Sequence, residues 1–419
     1  MRQWESWRPA ERSAGLEFWA AAVLQPCGED MALGRDYHPR IGDAAREKGV
    51  ALRGSSGRNL VHAADHNARV TLEALRRSSG LTRQDLAVLT GLTAPGITNI
   101  IRRLEEAGLI RPLSGGRAAR FGIEPDGALG LGLDIDSRCV SAAVIDLKGR
   151  VVRRSRHFAL SERIEDLMVA LRSAADEMVT ALGPVRAERL LGIGMGTPFE
   201  AALIQEALAP LRAHVERSSI AAALGERLLG AAPADGSFVH VLFGREVRAG
   251  LMIGGSLFHG VSDRAGRIGQ MRTGEDGELL DDAAAVTVLR PLIERHVAAG
   301  GDPDDFLPHL AAEERAIVDG WVERAAAHFV DAMIAISGFL APSGFFVGGR
   351  LPRDLMRLFS SRIAAIRVTR MASPLDPQWL PDVVPATLGP DCVLLGAAML
   401  PFLETLLPDP RQPPEIRRD

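Results

Sequence analysis

The sequence predicts an α/β protein in two parts: a small helical unit closed by two short strands, then a larger two-lobed unit of strands and helices. Three observations carry this expectation. Between Asn67 and Gly108, three short helical signals follow one another with turn glycines between them. Arginine-bearing segments on either side of a Ser-Gly-Gly turn at 114–116 then read as paired strands. Beyond Pro125, three consecutive strand-like runs lead into alternating helix and strand, and a similar order starts again near Phe238.

The chain has 419 residues, 47% of them hydrophobic, enough for two or three domains with real cores. Its formal charge of −4 excludes a globally basic coat, so any contact with nucleic acid must come from a local patch. Cys27, Cys139 and Cys392 are odd in number and far apart, which suits neither a disulfide framework nor a CxxC metal site. The apolar stretch from Leu16 to Leu24 is broken by Glu17 and is too short to span a bilayer, and no signal-peptide pattern precedes it. A cytoplasmic protein without a membrane partner is expected. The Arg-rich, Ala-rich composition hints at a bacterial source.

Residues 1–66 show no sustained period in their second half and are expected to be a poorly ordered extension; the alternative is a true start downstream, for instance at Met31. The first unit spans 67–124. Asn67 is placed to cap a helix with Val70, Leu72 and Leu75 on its apolar side, ending at Gly80. Thr82 caps a second helix, Arg83 to Thr90, which should bury Leu86 and Leu89 and close at Gly91. Thr93 caps a third, where Ile97, Ile100, Ile101 and Leu104 form a stripe at i, i+3, i+4 and i+7. Pro95 falls in its first turn, where a missing N–H costs little. Leu109 to Arg111 and Arg117 to Ile123 complete a winged helix-turn-helix.

With the apolar stripe turned inward, the third helix presents Pro95, Asn99 and Arg102, flanked by Thr98 and Arg103. Asn can pair bidentately with adenine, Arg with guanine, and Thr can meet a phosphate or a thymine methyl. Nine arginines (69, 76, 77, 83, 102, 103, 111, 117, 120) face four carboxylates (Glu73, Asp85, Glu105, Glu106) between Asn67 and Ile123, so positive charge gathers where phosphate contact is needed. The expected double-stranded DNA contacts are Thr93, Pro95, Thr98, Asn99, Arg102, Arg103, Arg117 and Arg120. A three-helix packing unit with a solvated arginine face would look similar, but the Gly-Gly wing tip bracketed by Arg111, Arg117 and Arg120 has no evident packing role.

The larger unit should run over 125–408, with a first lobe at about 125–235, a second at about 236–390 and a closing helix at 391–405, followed by a tail at 409–419. Strands are expected at Leu129 to Ile135, Val140 to Leu147, Val151 to Phe158, Leu190 to Met195, Val239 to Phe243, Val247 to Ile253 and Gly344 to Val347. Helices are expected at about Ile164 to Leu182, Ala283 to Ala298 and Glu313 to Ser337, and around Gly396-Ala397-Ala398. His38, His62, His240, His259 and His296 are scattered without HxxxH spacing, which favours packing or surface roles over ligation.

Several strings, in order, resemble the ROK family of sugar kinases and repressors. LGLGLDIDSRCVSAAVIDLKGR at 129–150 resembles the strand ending in D-I-G-G-T-K, and GIGMGTP at 192–198 resembles G-I-G-V-P-G. HVERSSIAAALGERLLG at 214–230 resembles the V-E-N-D-A-N-A-A-A-L-A-E segment, and AGLMIGGSLFHGVSDRAGRIGQM at 249–271 the block ending in G-E-I-G-H-M. FFVGGRL at 345–351 and LGPDCVLLGAAML at 388–400 resemble the adenosine-side strand and closing helix. The likeness covers about 67–405 and implies a two-lobed actin-like ATPase (RNase H-like) fold behind a winged helix, the layout of the family's repressors.

The departures from the family pattern bear on function. Where the kinases hold the aspartate that takes the sugar hydroxyl's proton, this chain has Ser218 after Arg217. The first phosphate loop has Asp136 and Ser137 in place of its two glycines, and the second reads Gly244 to Gly250 with Glu246 and Arg248 in it. The family's sugar-binding Glu and its sugar- and zinc-binding His are replaced by Arg267 and Gln270, and the zinc loop has no cysteine in RTGEDGELLDD. The expectation is therefore a sequence-specific transcription regulator, a repressor and not an enzyme, with no cofactor or metal. It would act as a homodimer or higher oligomer on a palindromic operator, with an unidentified small-molecule effector possible. The alternatives are a divergent sugar kinase with an accessory DNA-binding domain, and a non-catalytic scaffold.

Overall fold

The computed structural model describes residues 56–116, 119–136, 138–197, 199–209, 211–302, 305–370 and 379–411. The chain divides into two units. One holds the residues up to Gly127 together with Thr405–Pro408, and the other holds Ala128–Glu404 and the residues from Asp409 onward. Most of the expectation for 1–66 lies outside the described residues.

The first unit opens with helix α1, Ser56–Arg76. The helix starts ahead of Asn67, so that residue is not its cap; the carbonyl of Asn67 accepts from the Thr71 hydroxyl in mid-helix. Ala68, Thr71, Leu72, Leu75 and the stem of Arg76 are buried, an i, i+3, i+4, i+7 face that the polar residues between them had masked. Helix α2, Arg83–Thr90, has the expected Thr82 cap, strengthened by the reciprocal bond from the Thr82 amide to Asp85, and ends at Gly91 with φ 69°. Leu86 is buried, but Leu89 is exposed: the two lie three residues apart, and the short helix turns only one narrow edge inward. Helix α3, Ala94–Glu106, starts on Thr93, carries Pro95 in its first turn and buries Ile97, Ile100, Ile101 and Leu104 as anticipated. The wing has a third strand. β1 (Leu81–Thr82) pairs with β3 (Arg120–Ile123), which also pairs with β2 (Ile110–Pro112), all antiparallel.

In the second unit, the first lobe contains β4 (Leu129–Asp136), β5 (Cys139–Asp146), β6 (Val151–Phe158), helix α4 (Ile164–Ala187), β7 (Leu190–Gly196), α5 (Ala201–Leu208), β8 (Ala213–Glu216) and α6 (Ser218–Leu229). The sheet order is β6-β5-β4-β7-β8, with β4, β7 and β8 parallel and the first hairpins antiparallel. The α4 pattern ends at Leu182 because Gly183 takes φ 71° ahead of Pro184.

The second lobe repeats that order with β9 (Phe238–Phe243), β10 (Val247–Ile253), β11 (Ser256–Leu257), a small hairpin of β12 (Arg272–Thr273) and β13 (Glu278–Leu279), α7 (Leu280–Ala284), α8 (Arg290–Ala298), α9 (Ala312–Leu340), β14 (Phe345–Gly349), α10 (Arg353–Arg370) and β15 (Val383–Pro385). Its sheet runs β11-β10-β9-β14-β15, with β9, β14 and β15 parallel. The single helix expected over 283–298 is instead α7, a 3₁₀ turn at Val286–Val288 and α8, because Pro291 can enter a helix only in its first turn. Phe243, Phe329 and Phe359 meet edge-to-face at the centre of the core, with Trp321 against Phe359.

Helix α11, Cys392–Thr405, lies on the glycine-bearing faces of β4 and β7. A methyl added at Gly194 would sit 1.8 Å from the Ala397 carbonyl oxygen, and one at Gly132 would sit 2.4 Å from that of Leu394. Where Gly396 approaches α6, the clearance to the Ala221 oxygen is again 1.8 Å. These glycines serve close packing of helix on sheet and helix on helix.

Candidate DNA interface and the inter-lobe cleft

Within the first unit, the stripe on α3 fixes which side chains face outward. Thr93, Pro95, Thr98, Asn99 and Arg102 are exposed, and Arg103 on the flank is half-buried. The Thr93 hydroxyl accepts from the Gly96 amide at 3.4 Å, so it caps the helix as well as facing solvent. Thr98 donates to the Ala94 carbonyl at 2.9 Å, and Arg102 pairs with Glu106 at 2.8 Å on the open surface. An exposed pair of this kind is worth little and yields readily to a phosphate or a base edge. Arg120 is exposed at the start of β3, where its amide donates to the Ser114 hydroxyl. Arg117 lies outside the described residues.

One feature of this surface was not read from the sequence. The Arg83 guanidinium stacks over the Phe121 ring, 4.6 Å from its centroid, tying the first turn of α2 to the wing. The signal was an Arg beginning a helix and an aromatic residue in a strand, and only the fold brings them together.

In the second unit, ion pairs join the two lobes near several of the positions singled out in the sequence. Asp134, in the β4 strand, is almost fully buried, and Asp136 closes that strand half-exposed. Arg350, just past β14 of the opposite lobe, reaches across to both. Its Nε donates to Asp134 at 3.2 Å and its Nη2 to the other Asp134 oxygen, while Nη2 also reaches the Ile135 carbonyl at 2.9 Å and Nη1 lies 3.5 Å from Asp136. Burial works against the guanidinium's charge, but Asp134 and Asp136 more than offset it and leave its pKa above the ordinary arginine value. Nearby, Asp391 pairs with Arg154 at 2.9 Å. Burial pushes the Cys392 thiol up to about 12, which disfavours its thiolate.

Ser218 is the first residue of α6, behind Arg217, and both are half-buried. The turn between β9 and β10 holds the second loop: Glu246 and Arg248 pair with each other, and Arg245 points to Glu162 at 4.0 Å. Glu162 also receives Arg290 at 3.0 Å, so that Arg245 and Arg290 join Arg350 in linking the lobes ionically. Arg267 and Gln270 are exposed; Gln270 donates to Asp281 at 2.8 Å, and Asp281 also accepts from the Val247 amide. The segment RTGEDGELLDD forms the β12–β13 hairpin, held by an Arg324–Glu278 pair and by Thr273 against His328. Ser137 lies outside the described residues. No group of three or more His, Cys, Asp or Glu suited to a metal ion occurs among the described residues, and no helix among them is long and apolar enough to cross a membrane.

Sequence reasoning missed Arg350, Asp134 and the Arg411–Glu216 pair (3.2 Å). Arg350 follows Gly348-Gly349 in FFVGGRL, and nothing local in that string signals a partner in the other lobe.

Comparison with known proteins fits this geometry. A winged helix-turn-helix DNA-binding family model matches residues 65–111. An uncharacterized protein, y4fQ, of Sinorhizobium fredii is 26% identical over 323 residues, covering 69% of this chain and 79% of its own length. The xylose repressor of Bacillus spizizenii is 22% identical over 231 residues, 49% of this chain and 60% of the repressor. Among solved structures, a ROK family transcriptional regulator, a homologue of the E. coli MLC protein, superposes with a TM-score of 0.61 at 17% identity, over 82% of this chain and 98% of its own. A ROK family glucokinase from Streptomyces griseus, solved with glucose and AMPPNP, gives 0.52 at 21% identity, over 65% of this chain and 99% of the kinase.

Proposed function

We propose that the chain is a ROK-family regulator, a sequence-specific repressor whose kinase-like unit no longer performs phosphoryl transfer; the winged-helix match over 65–111, the likeness to a xylose repressor and the fold shared with a ROK family transcriptional regulator support this reading. The observation that carries the second half is Arg350. In a phosphate site, backbone amides and a cation await an anion. Here Asp134 and Asp136 bring the negative charge and Arg350 neutralises it from within the chain, so the place is already filled and paired. Ser218, the residue at the proton acceptor's position, has no charge with which to take a hydroxyl proton at neutral pH.

In this reading Asn99 and Arg102 read base edges from the major groove, with Pro95, Thr98 and Arg103 around them, while Thr93, Arg117 and Arg120 meet phosphates. The protein works in the cytoplasm as a homodimer on a palindromic operator, with half-sites one or more helical turns apart. The kinase-like unit supplies dimerisation and an effector site for a ligand other than ATP with sugar.

Two measurements test the proposal. Selection of bound duplexes from a random pool should yield a palindrome, and failure to enrich any sequence at low salt would remove the DNA-reading half. A coupled assay for ADP release across a sugar panel should stay at background, and turnover with any sugar would establish the kinase reading instead.

A further inference from the structure

The two five-stranded sheets of the second unit have four edges, and three of them are short. β8 ends the first sheet with four residues, while β11 and β15 end the second with two and three. β11 is covered as well, since the Leu257 amide donates to the Pro410 carbonyl at 2.7 Å. Short or covered edges give another chain little to pair with. β6, at the remaining edge, is eight residues long. Its register on β5 slips at Val152 and is regular from Arg153 to Phe158. Among the described residues, no backbone group of 151–158 bonds outward from the sheet.

The side chains along this edge are charged near its middle and apolar at its end. Arg153, Arg154 and Arg156 are exposed, and so are Phe158 (66%) and the Leu160 that follows the strand (87%). His157 lies 2.9 Å from Glu177 of α4, whereas Arg154 lies 2.9 Å from Asp391, just ahead of α11, so successive residues point to opposite faces of the sheet. Arg156 and Phe158 share the face of Arg154, and Arg153 shares that of His157. Cations therefore flank the open edge on both sides. Arg154 already holds a carboxylate, while Arg153 and Arg156 meet none among the described residues.

This pattern discriminates between occupants. A second copy of the chain would set one arginine row against another, and like charges across neighbouring strands destabilise the pair. A nucleic acid would satisfy the guanidiniums, but phosphates only accept, so the outward carbonyls of β6 would gain nothing and Phe158 and Leu160 would stay bare. An extended peptide brings donors and acceptors together, and acidic side chains on it match the arginines.

We propose that β6 is a docking edge for an acidic, extended segment of another protein, which adds a strand to the first lobe's sheet with carboxylates beside Arg153, Arg154 and Arg156 and an apolar residue against Phe158. The row of charge that keeps copies of this chain apart is what selects the partner. The proposal does not rest on the DNA-binding reading above.

The test uses the full chain and a synthetic peptide of about ten residues alternating glutamate and valine, capped at both ends. Its register is free, so it can slide by one residue to set its glutamates beside Arg154 and Arg156. Titration calorimetry should show saturable binding, and hydrogen exchange should show new protection of amides within Arg153–Phe158 and none in β8. Arg153→Glu combined with Arg156→Glu should weaken the peptide about tenfold or more and should gain binding of the corresponding lysine peptide, a gain that a misfolded variant would not give. The glutamate peptide methylated at every backbone nitrogen keeps its charge, loses its donors and should not bind. Equal binding of the methylated peptide would overturn strand addition. Protection of the β6 amides by a DNA duplex of random sequence and not by the peptide would transfer the edge to nucleic acid, and protection by neither would remove the docking edge altogether.

Discussion

Replacing Arg350 with Met removes three hydrogen bonds, two to Asp134 and one to the Ile135 carbonyl, and the guanidinium's ion pair with Asp136. The loss is dominated by what stays behind. Asp134 keeps only 7% of its side chain exposed, so its carboxylate must remain unpaired in a poorly solvated place or take up a proton. Breaking a buried pair by removing one partner costs about 3–5 kcal/mol; with a quarter of the Arg350 side chain reaching solvent, about 3 kcal/mol is the expected value. For a unit of this size that corresponds to a fall of roughly 6 °C in the unfolding midpoint. Pairing the change with Asp134→Leu should restore most of the loss, because the orphaned carboxylate is then absent. Urea titration of the wild type, both single variants and the double variant closes the cycle. A cost under about 1 kcal/mol for Arg350→Met, or strict additivity in the double variant, would show that the cross-cleft pair contributes nothing and would withdraw the reason given for a filled phosphate site.

Three further outcomes follow from other parts of the molecule. Asn99→Ala should cost about 1–3 kcal/mol at one base position of the selected operator, whereas Arg120→Ala should weaken all duplexes alike and lower the salt slope by about 1; anisotropy titrations at several salt concentrations separate the two. His240 is fully buried with both ring nitrogens unpartnered, and burial lowers its pKa to about 4. The unfolded chain therefore takes up this proton first as pH falls, so stability is intact above about 6.5, declines between 6.5 and about 4, and His240→Leu should flatten that decline in urea midpoints read at pH 5 and pH 8. Gly194→Ala forces a methyl onto the Ala397 carbonyl oxygen and should cost about 1–3 kcal/mol or more by thermal denaturation, where a tolerated change would contradict the close seating of α11.

The second and third helices of the winged helix were legible almost to the residue because their signals are local, whereas the first helix starts at Ser56, well ahead of Asn67, and the β1 strand was not foreseen. Thr82 and Thr93 cap helices through bonds to residues three positions on, and the isoleucine stripe repeats within one helix. The doubled sheet order was legible only through resemblance, since the pairing of β4 with β7 and of β9 with β14 joins residues too far apart for any period to reveal. The cleft was half read. Asp136, Glu246 and Arg248 stood out as residues in the wrong place, but what they do was hidden. Glu246 and Arg248 satisfy each other two residues apart, while Asp136 leans on an arginine from another lobe. The error at Leu89 has the opposite origin, an apolar residue assumed to be buried because its type usually is.

The stack of Arg83 on Phe121 has a consequence for how this module would meet a duplex. A wing free to swing could follow a groove of any width, conforming to whatever backbone it encountered. Here the wing is clamped to the helix that precedes the reading helix, so the two contact points keep a set separation like the jaws of a caliper. Duplexes whose grooves already match that gap would be gripped without bending, and others would bear a deformation cost at positions no side chain touches. Part of the selectivity would then be written in the stiffness of the protein itself.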